Sequence, residues 1–95
     1  MRKEAKENMN QTAIIRTQDA LNNAIADHNM VIELKPDHPC GYPGRGLAYW
    51  ELGDADAALA DFNRYLELDP DAPDRKLINR WILQVTTQFP ARNRQ

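Results

Sequence analysis

A single cysteine, Cys40, stands in this chain of 95 residues. One thiol closes no internal disulfide and builds no cysteine-rich zinc site. Glycine is scarce, at 4 residues, and neither glycine nor proline occurs before Pro36. The first third therefore lacks the strongest chain-reversal signals. No apolar run approaches the roughly 20 residues of a membrane-spanning helix. The stretch Met1–Asn10 is polar and charged, which reads against a signal peptide and for a cytoplasmic location. An excess of one charge is missing too. Lys plus Arg is 12 and Asp plus Glu is 14, a net charge of −2, so bulk charge points to neither nucleic acid nor a membrane surface.

Hydrophobic residues make up 42% of the chain and charged residues 27%, the balance of a globular domain rather than a disordered tail. Residues 1–95 read as one small domain. A chain of this size buries about 60–65% of its surface, which leaves little volume for an enclosed active site. Charge is unevenly spread along it. Met1–Gln18 carries +2, Asp19–Pro73 carries −8 and Asp74–Gln95 carries +4. That layout reads as a solvated surface around helices, with head-to-tail contacts or an acidic partner at the basic C-terminal end as the sharper alternative.

An internal repeat organises the middle. Ala24–Pro39 and Ala58–Pro73 lie 34 residues apart and agree at nine of sixteen positions. The shared residues include Ala24/Ala58, Asp27/Asp61, Asn29/Asn63, Leu34/Leu68 and Pro36/Pro70. Chance does not readily produce that density, so the chain contains a repeated unit. Each copy is a helix that stops at Glu-Leu-x-Pro, because proline lacks an N–H and clashes with the preceding turn.

The second unit is the clearer one. Ala58, Leu59, Phe62, Tyr65, Leu66 and Leu68 form an apolar stripe at helical spacing. Asp54 is a good N-cap, and Gly53 can take the left-handed conformation that closes the helix before it. That earlier helix starts near Tyr42 or Pro43 and carries Leu47, Ala48, Tyr49, Trp50 and Leu52. So short a turn makes the two helices antiparallel neighbours, with Gly46 and Ala58 allowing a close approach. A further helix follows, capped by Asp74, with Leu77, Ile78, Trp81, Ile82 and Val85 on one face. Two readings compete for residues 1–35: two helices with a turn near Thr17–Asp19, or one helix of some thirty residues. The turn is favoured, because Gln18-Asp19 sits near the repeat position of Gly53-Asp54.

Candidates for chemistry are few. His38-Pro39-Cys40 has no second ligand pair for a metal, and Pro39 separates any base from the sulfur. Both residues read as loop. His28 reads as a core histidine. Asp69-Pro70-Asp71 lacks the further oxygen ligands of a calcium loop, and there is no phosphate-binding glycine loop. Arg75, Lys76, Arg80, Arg92 and Arg94 lack interleaved surface aromatics. No enzyme, cofactor or metal is expected.

At this point the residues resemble the tetratricopeptide repeat family. Gly46 and Tyr49 match its first helix, and Ala58, Phe62 and Pro70 match its second, with Tyr42 where the family usually has Trp. The likeness is strong over Pro39–Asp71 and weaker over Ala5–His38. In the weaker part Ala24 and Pro36 fit, while His28 replaces an aromatic and Thr12 and Asp19 replace glycines. Arg45 stands for a usual Leu and Tyr65 for a usual Ala. The segment Ala58–Asp74 is also similar to the helical-repeat tail of bacterial transglutaminase-like proteins.

The first resemblance implies an all-α solenoid of two helix–turn–helix hairpins plus a C-terminal capping helix. The first hairpin, degenerate, spans 5–38, the second 39–72, and the capping helix 74–88, with a frayed tail over 89–95. It implies a non-catalytic module that binds a peptide or helix of a partner protein on its concave face. Carried over by position, that face holds Lys6, Met9, Ala13, Arg16, Pro43, Leu47, Trp50, Glu51, Trp81 and Gln84. Trp50 is assigned to the groove, or else to packing under the N-terminal helix. Arg16, Arg45 and Glu51 would select charge. The set of Lys, Asn and Arg residues with which some members grip a C-terminal carboxylate is not matched, since the second hairpin offers Pro43, Gly44 and Leu47. Two alternatives stand beside this: a self-associating structural protein, dimeric through its N-terminal helix, and an accessory subunit or tail of an enzyme.

Overall fold

A computed structural model describes the backbone of residues 2–89 and the side chains of residues 17–89. Four helices follow one another: α1 (Arg2–Leu34), α2 (Tyr42–Leu52), α3 (Ala55–Leu68) and α4 (Arg75–Gln88), with a 3-10 turn at Pro39–Gly41 between the first two. No strand occurs among the described residues. The all-α class read from the sequence holds.

The expected turn near Thr17–Asp19 does not form. α1 runs unbroken through those residues for 33 positions, about 50 Å of helix. The reason is local. Asp19 occupies the repeat position of Gly53, and Gly53 is the one described residue at positive φ, 86°. An L-residue held there costs roughly 1–2 kcal/mol. A break would also strip the carbonyls and amides of two helix ends of their partners. Continuing the helix avoids both costs. The two-hairpin arrangement is thus realised as one long helix, one hairpin and one closing helix.

Pro36 ends α1, and the chain then turns tightly. The His38 amide donates to the Lys35 carbonyl at 3.1 Å, and the Tyr42 hydroxyl donates back to the Pro36 carbonyl at 2.7 Å. His38 and Cys40 lie in this connection, the Cys40 amide donating to His38 Nδ1 at 3.2 Å. α2 packs against α1, with the His28 ring lying where a side chain on Gly44 would stand.

The α2–α3 hairpin forms as its residues dictate. Gly53 closes α2 through bonds from the Gly53 amide to the Trp50 carbonyl and from the Asp54 amide to the Tyr49 carbonyl, at 3.0 and 2.9 Å. Asp54 Oδ1 accepts from the Ala57 amide at 3.2 Å, the first-turn cap. The nearest neighbours of Gly46 across the hairpin are Phe62 and Asp61, one turn beyond Ala58. A Cβ on Gly46 would fall 2.7 Å from Phe62 Cε1. Ala58 is instead fully buried in the core.

That core is built from Ala58, Phe62, Ile78 and Val85, all fully buried. α3 supplies the first two and α4 the others, so α4 covers the side of α3 that α2 leaves open. Asp74 sits at the N-cap of α4 but makes no capping bond. Its Oδ1 accepts from the Tyr65 hydroxyl at 2.6 Å, tying the start of α4 to α3.

Candidate partner-binding surface

Phe62 organises the surface between α2 and α4. Its ring meets Trp50 edge-on, centroids 6.3 Å apart, and Trp81 at a tilt, centroids 5.7 Å apart. Aromatic pairs prefer such edge and tilted contacts to a face-to-face sandwich. Helical spacing explains the arrangement. Phe62 points from α3 toward both neighbours, and one indole comes from each of the helices flanking it. Both indoles are half-buried, as is Leu47 one turn before Trp50. The Trp50 Nε1–H donates to Gln88 Oε1 at 2.6 Å, so the indole's polar edge is bound across to α4.

Glu51 and Gln84 are exposed, and Pro43 is half-buried at the start of α2. The structure thus packs Leu47, Trp50 and Trp81 against the core that contains Phe62. Trp50 packs against α3 and α4 rather than under α1. Lys6, Met9, Ala13 and Arg16, read as part of the same surface, lie outside the described side chains. Gln88 and Phe62 were missed as members. Phe62 was legible only as core, and Gln88 carried no signal beyond lying one turn past Gln84.

Arg45 is not a free charge for a partner. Its Nη2 and Nε donate to Asp61 Oδ1 and Oδ2 at 2.6 and 2.8 Å, and its Nη1 donates to Asn29 Oδ1 at 2.8 Å. The guanidinium also lies 5.7 Å from the Tyr42 ring centroid and 5.8 Å from that of Tyr49. Hydrogen bonding to Asp61 holds its pKa above the ordinary value, against the opposing effect of burial. One side chain joins α1, α2 and α3. Asp27/Asp61 and Asn29/Asn63 recur with the repeat, but only Asp61 and Asn29 bind Arg45, while their counterparts Asp27 and Asn63 are exposed.

Among the described residues no cluster of three or more His, Cys, Asp or Glu side chains could hold a metal ion, and no helix is long and apolar enough to cross a membrane. Every buried side-chain nitrogen and oxygen among them has a hydrogen-bond partner.

Comparison with curated proteins and with solved structures gives no match. A family model described as tetratricopeptide repeat matches residues 11–82. That span takes in most of α1, the whole α2–α3 hairpin with its Gly46 seat, and α4 through Trp81 and Ile82. With more than half of its length matched, the chain belongs to the tetratricopeptide repeat family.

Proposed function

We propose that the groove between α2 and α4 holds a short segment of a partner protein, and that the chain acts by binding alone. Tetratricopeptide repeats generally mediate protein–protein interaction, in proteins that are generally non-catalytic scaffolds. The observation that carries the finer reading is the pair of half-buried indoles, Trp50 and Trp81, set on either side of Phe62. A rigid aromatic floor with a polar rim is the usual make-up of an interface anchor site. An apolar side chain of the partner would enter between the indoles, and a basic neighbour would meet the exposed Glu51. So short a groove gives weak affinity, about micromolar or weaker.

Both tryptophans of the chain border the groove, so intrinsic fluorescence reports its occupancy. The test captures partners on immobilised wild type, on the exposed-rim variant Glu51→Arg/Gln84→Arg, and on Trp50→Ala, with circular dichroism as the check on folding. A segment of a captured partner is then titrated into the free chain. A fluorescence shift on binding, weakened by the rim variant, supports the groove. Capture of the same partners by folded wild type and both variants rejects it.

A further inference from the structure

The α2–α3 hairpin shows how consecutive helices of this repeat cover each other. α3 buries Ala58, Asp61 and Phe62, and Gly46 of α2 lies against Phe62 and Asp61. The 34-residue offset carries α3 onto the second half of α1 and α2 onto α4. Asp61 becomes Asp27, and Gly46 becomes Arg80. Both of the corresponding faces are open. Asp61 is 4% exposed, whereas Asp27 lies on the surface. Met30 and Leu34 stand on the same side of α1 at helical spacing, 62% and 80% exposed. On α4, Arg80 is exposed, and Leu77 and Leu83 near it are 40% and 66% exposed. Neither Asp27 nor Arg80 has an ion-pair partner among the described residues.

We infer that α4 of one copy of this chain covers the second half of α1 of the next, head to tail, as α2 covers α3 within one copy. The hairpin sets the register. Gly46 against Asp61 places Arg80 of one copy opposite Asp27 of the other. The same antiparallel alignment brings Leu77 level with Met30, and the exposed Pro73 level with Leu34. An arginine cannot sit as close as a glycine, so the two helices stand further apart than α2 and α3, at the reach of a guanidinium to a carboxylate. The pairing joins residues 19–34 to residues 73–88, about 24 Å of helix.

Charge within that span selects the occupant. Residues 19–34 carry Asp19, Asp27 and Glu33 with no Lys or Arg, a balance of −3. Residues 73–88 carry Arg75, Lys76 and Arg80 against Asp74, a balance of +2. The three basic and three acidic side chains that would meet are all exposed. Two copies joined α1 to α1, or α4 to α4, would set like charge on like, whereas the mixed contact sets opposite signs together. Its two faces differ, so the contact is heterologous and repeats from copy to copy. It does not rest on the groove between α2 and α4, since association is read as mass and peptide binding as fluorescence.

The experiment measures the mass of the full chain by light scattering over a dilution series. It compares wild type, Asp27→Arg, Arg80→Asp and the two variants mixed, with circular dichroism as the folding check. Both sites are exposed, so neither reversal touches the core. The wild-type average should climb above 10.9 kDa with concentration, and climb less at high salt. Each reversal alone sets like charge on like and should weaken association about tenfold or more. Mixing the two variants should restore it, because every copy then meets an opposite charge at both ends. A wild type that stays at 10.9 kDa throughout overturns the inference. So does association indifferent to either reversal, or a mixture no heavier than its separate parts.

Discussion

Arg45 holds Asp61 with two parallel bonds, 2.6 Å from Nη2 and 2.8 Å from Nε, while its Nη1 reaches Asn29, so one side chain of α2 ties α1 to α3. The carboxylate is almost wholly buried and the guanidinium about one-fifth exposed. Burying a carboxylate is tolerable only because this fork satisfies both of its oxygens. Removing the arginine therefore strands the aspartate. Arg45→Met should lower unfolding free energy by about 2–4 kcal/mol. The double variant Arg45→Met/Asp61→Leu should recover most of that loss, because no charge is then left without a partner. Denaturant titration of the four members of the cycle measures the coupling. Additive losses would mean that the pair does not hold the helices together.

Gly46 is the second point of close contact. A methyl group there would stand 2.7 and 2.9 Å from two carbons of the Phe62 ring and 3.2 Å from Asp61 Cβ. Phe62 cannot yield freely, since Trp50 and Trp81 pack on it. Gly46→Ala should thus cost about 1–3 kcal/mol as an over-packed core, despite the better helix propensity of alanine. It should also perturb the fluorescence of both tryptophans through Phe62. A stabilised variant with unchanged fluorescence would show that α2 and α3 separate without cost.

The hairpin was legible because its signals are chemical and local. Gly53 for the left-handed turn, Asp54 for the cap and Pro70 as a stop each act within a few residues of chain. α1 was misjudged for an instructive reason. Repeat alignment carried the turn of one unit onto the other, but Asp19 is not a glycine, and the backbone follows the residue rather than the alignment. Asp74 was read as a cap because of its position. The Tyr65 hydroxyl, brought near only by the packing of α4 on α3, holds its carboxylate instead. The groove was half legible. Trp50 and Trp81 stood out as aromatics, while the bond from Trp50 to Gln88 depends on how packing brings together two residues 38 apart in the chain.

The straightness of α1 makes its own prediction. Replacing Asp19 by Gly and Ala20 by Asp re-creates the Gly53-Asp54 pair at the equivalent point of the first unit. Gly lowers the cost of a left-handed residue, and Asp supplies a cap for the helix that follows. Backbone chemical shifts of the variant should show a helix break at these two positions, against continuous helical shifts in the wild type. Shifts that stay helical through residues 19 and 20 would mean that glycine at this position does not decide between hairpin and rod.

Tyr65 gives the chain a stability dependence at alkaline pH. Its hydroxyl donates to Asp74 at 2.6 Å. That bond, with smaller contributions from burial and from the carboxylates of Asp74 and Asp69, moves its pKa from 10.0 up to about 12. The folded chain therefore keeps a proton that the unfolded chain releases. The stabilisation from this bond is complete below pH 10.0, fades as pH rises, and is gone above about 12. Phenolate absorbance of the wild type should include a late step in that window. Tyr65→Phe removes the step, and Asp74→Ala shifts it back toward the ordinary value. The stability gap between wild type and Tyr65→Phe should narrow over the same range, because the variant has no such proton to lose. A late step that survives in Asp74→Ala would assign the shift to burial and break the link between the start of α4 and α3.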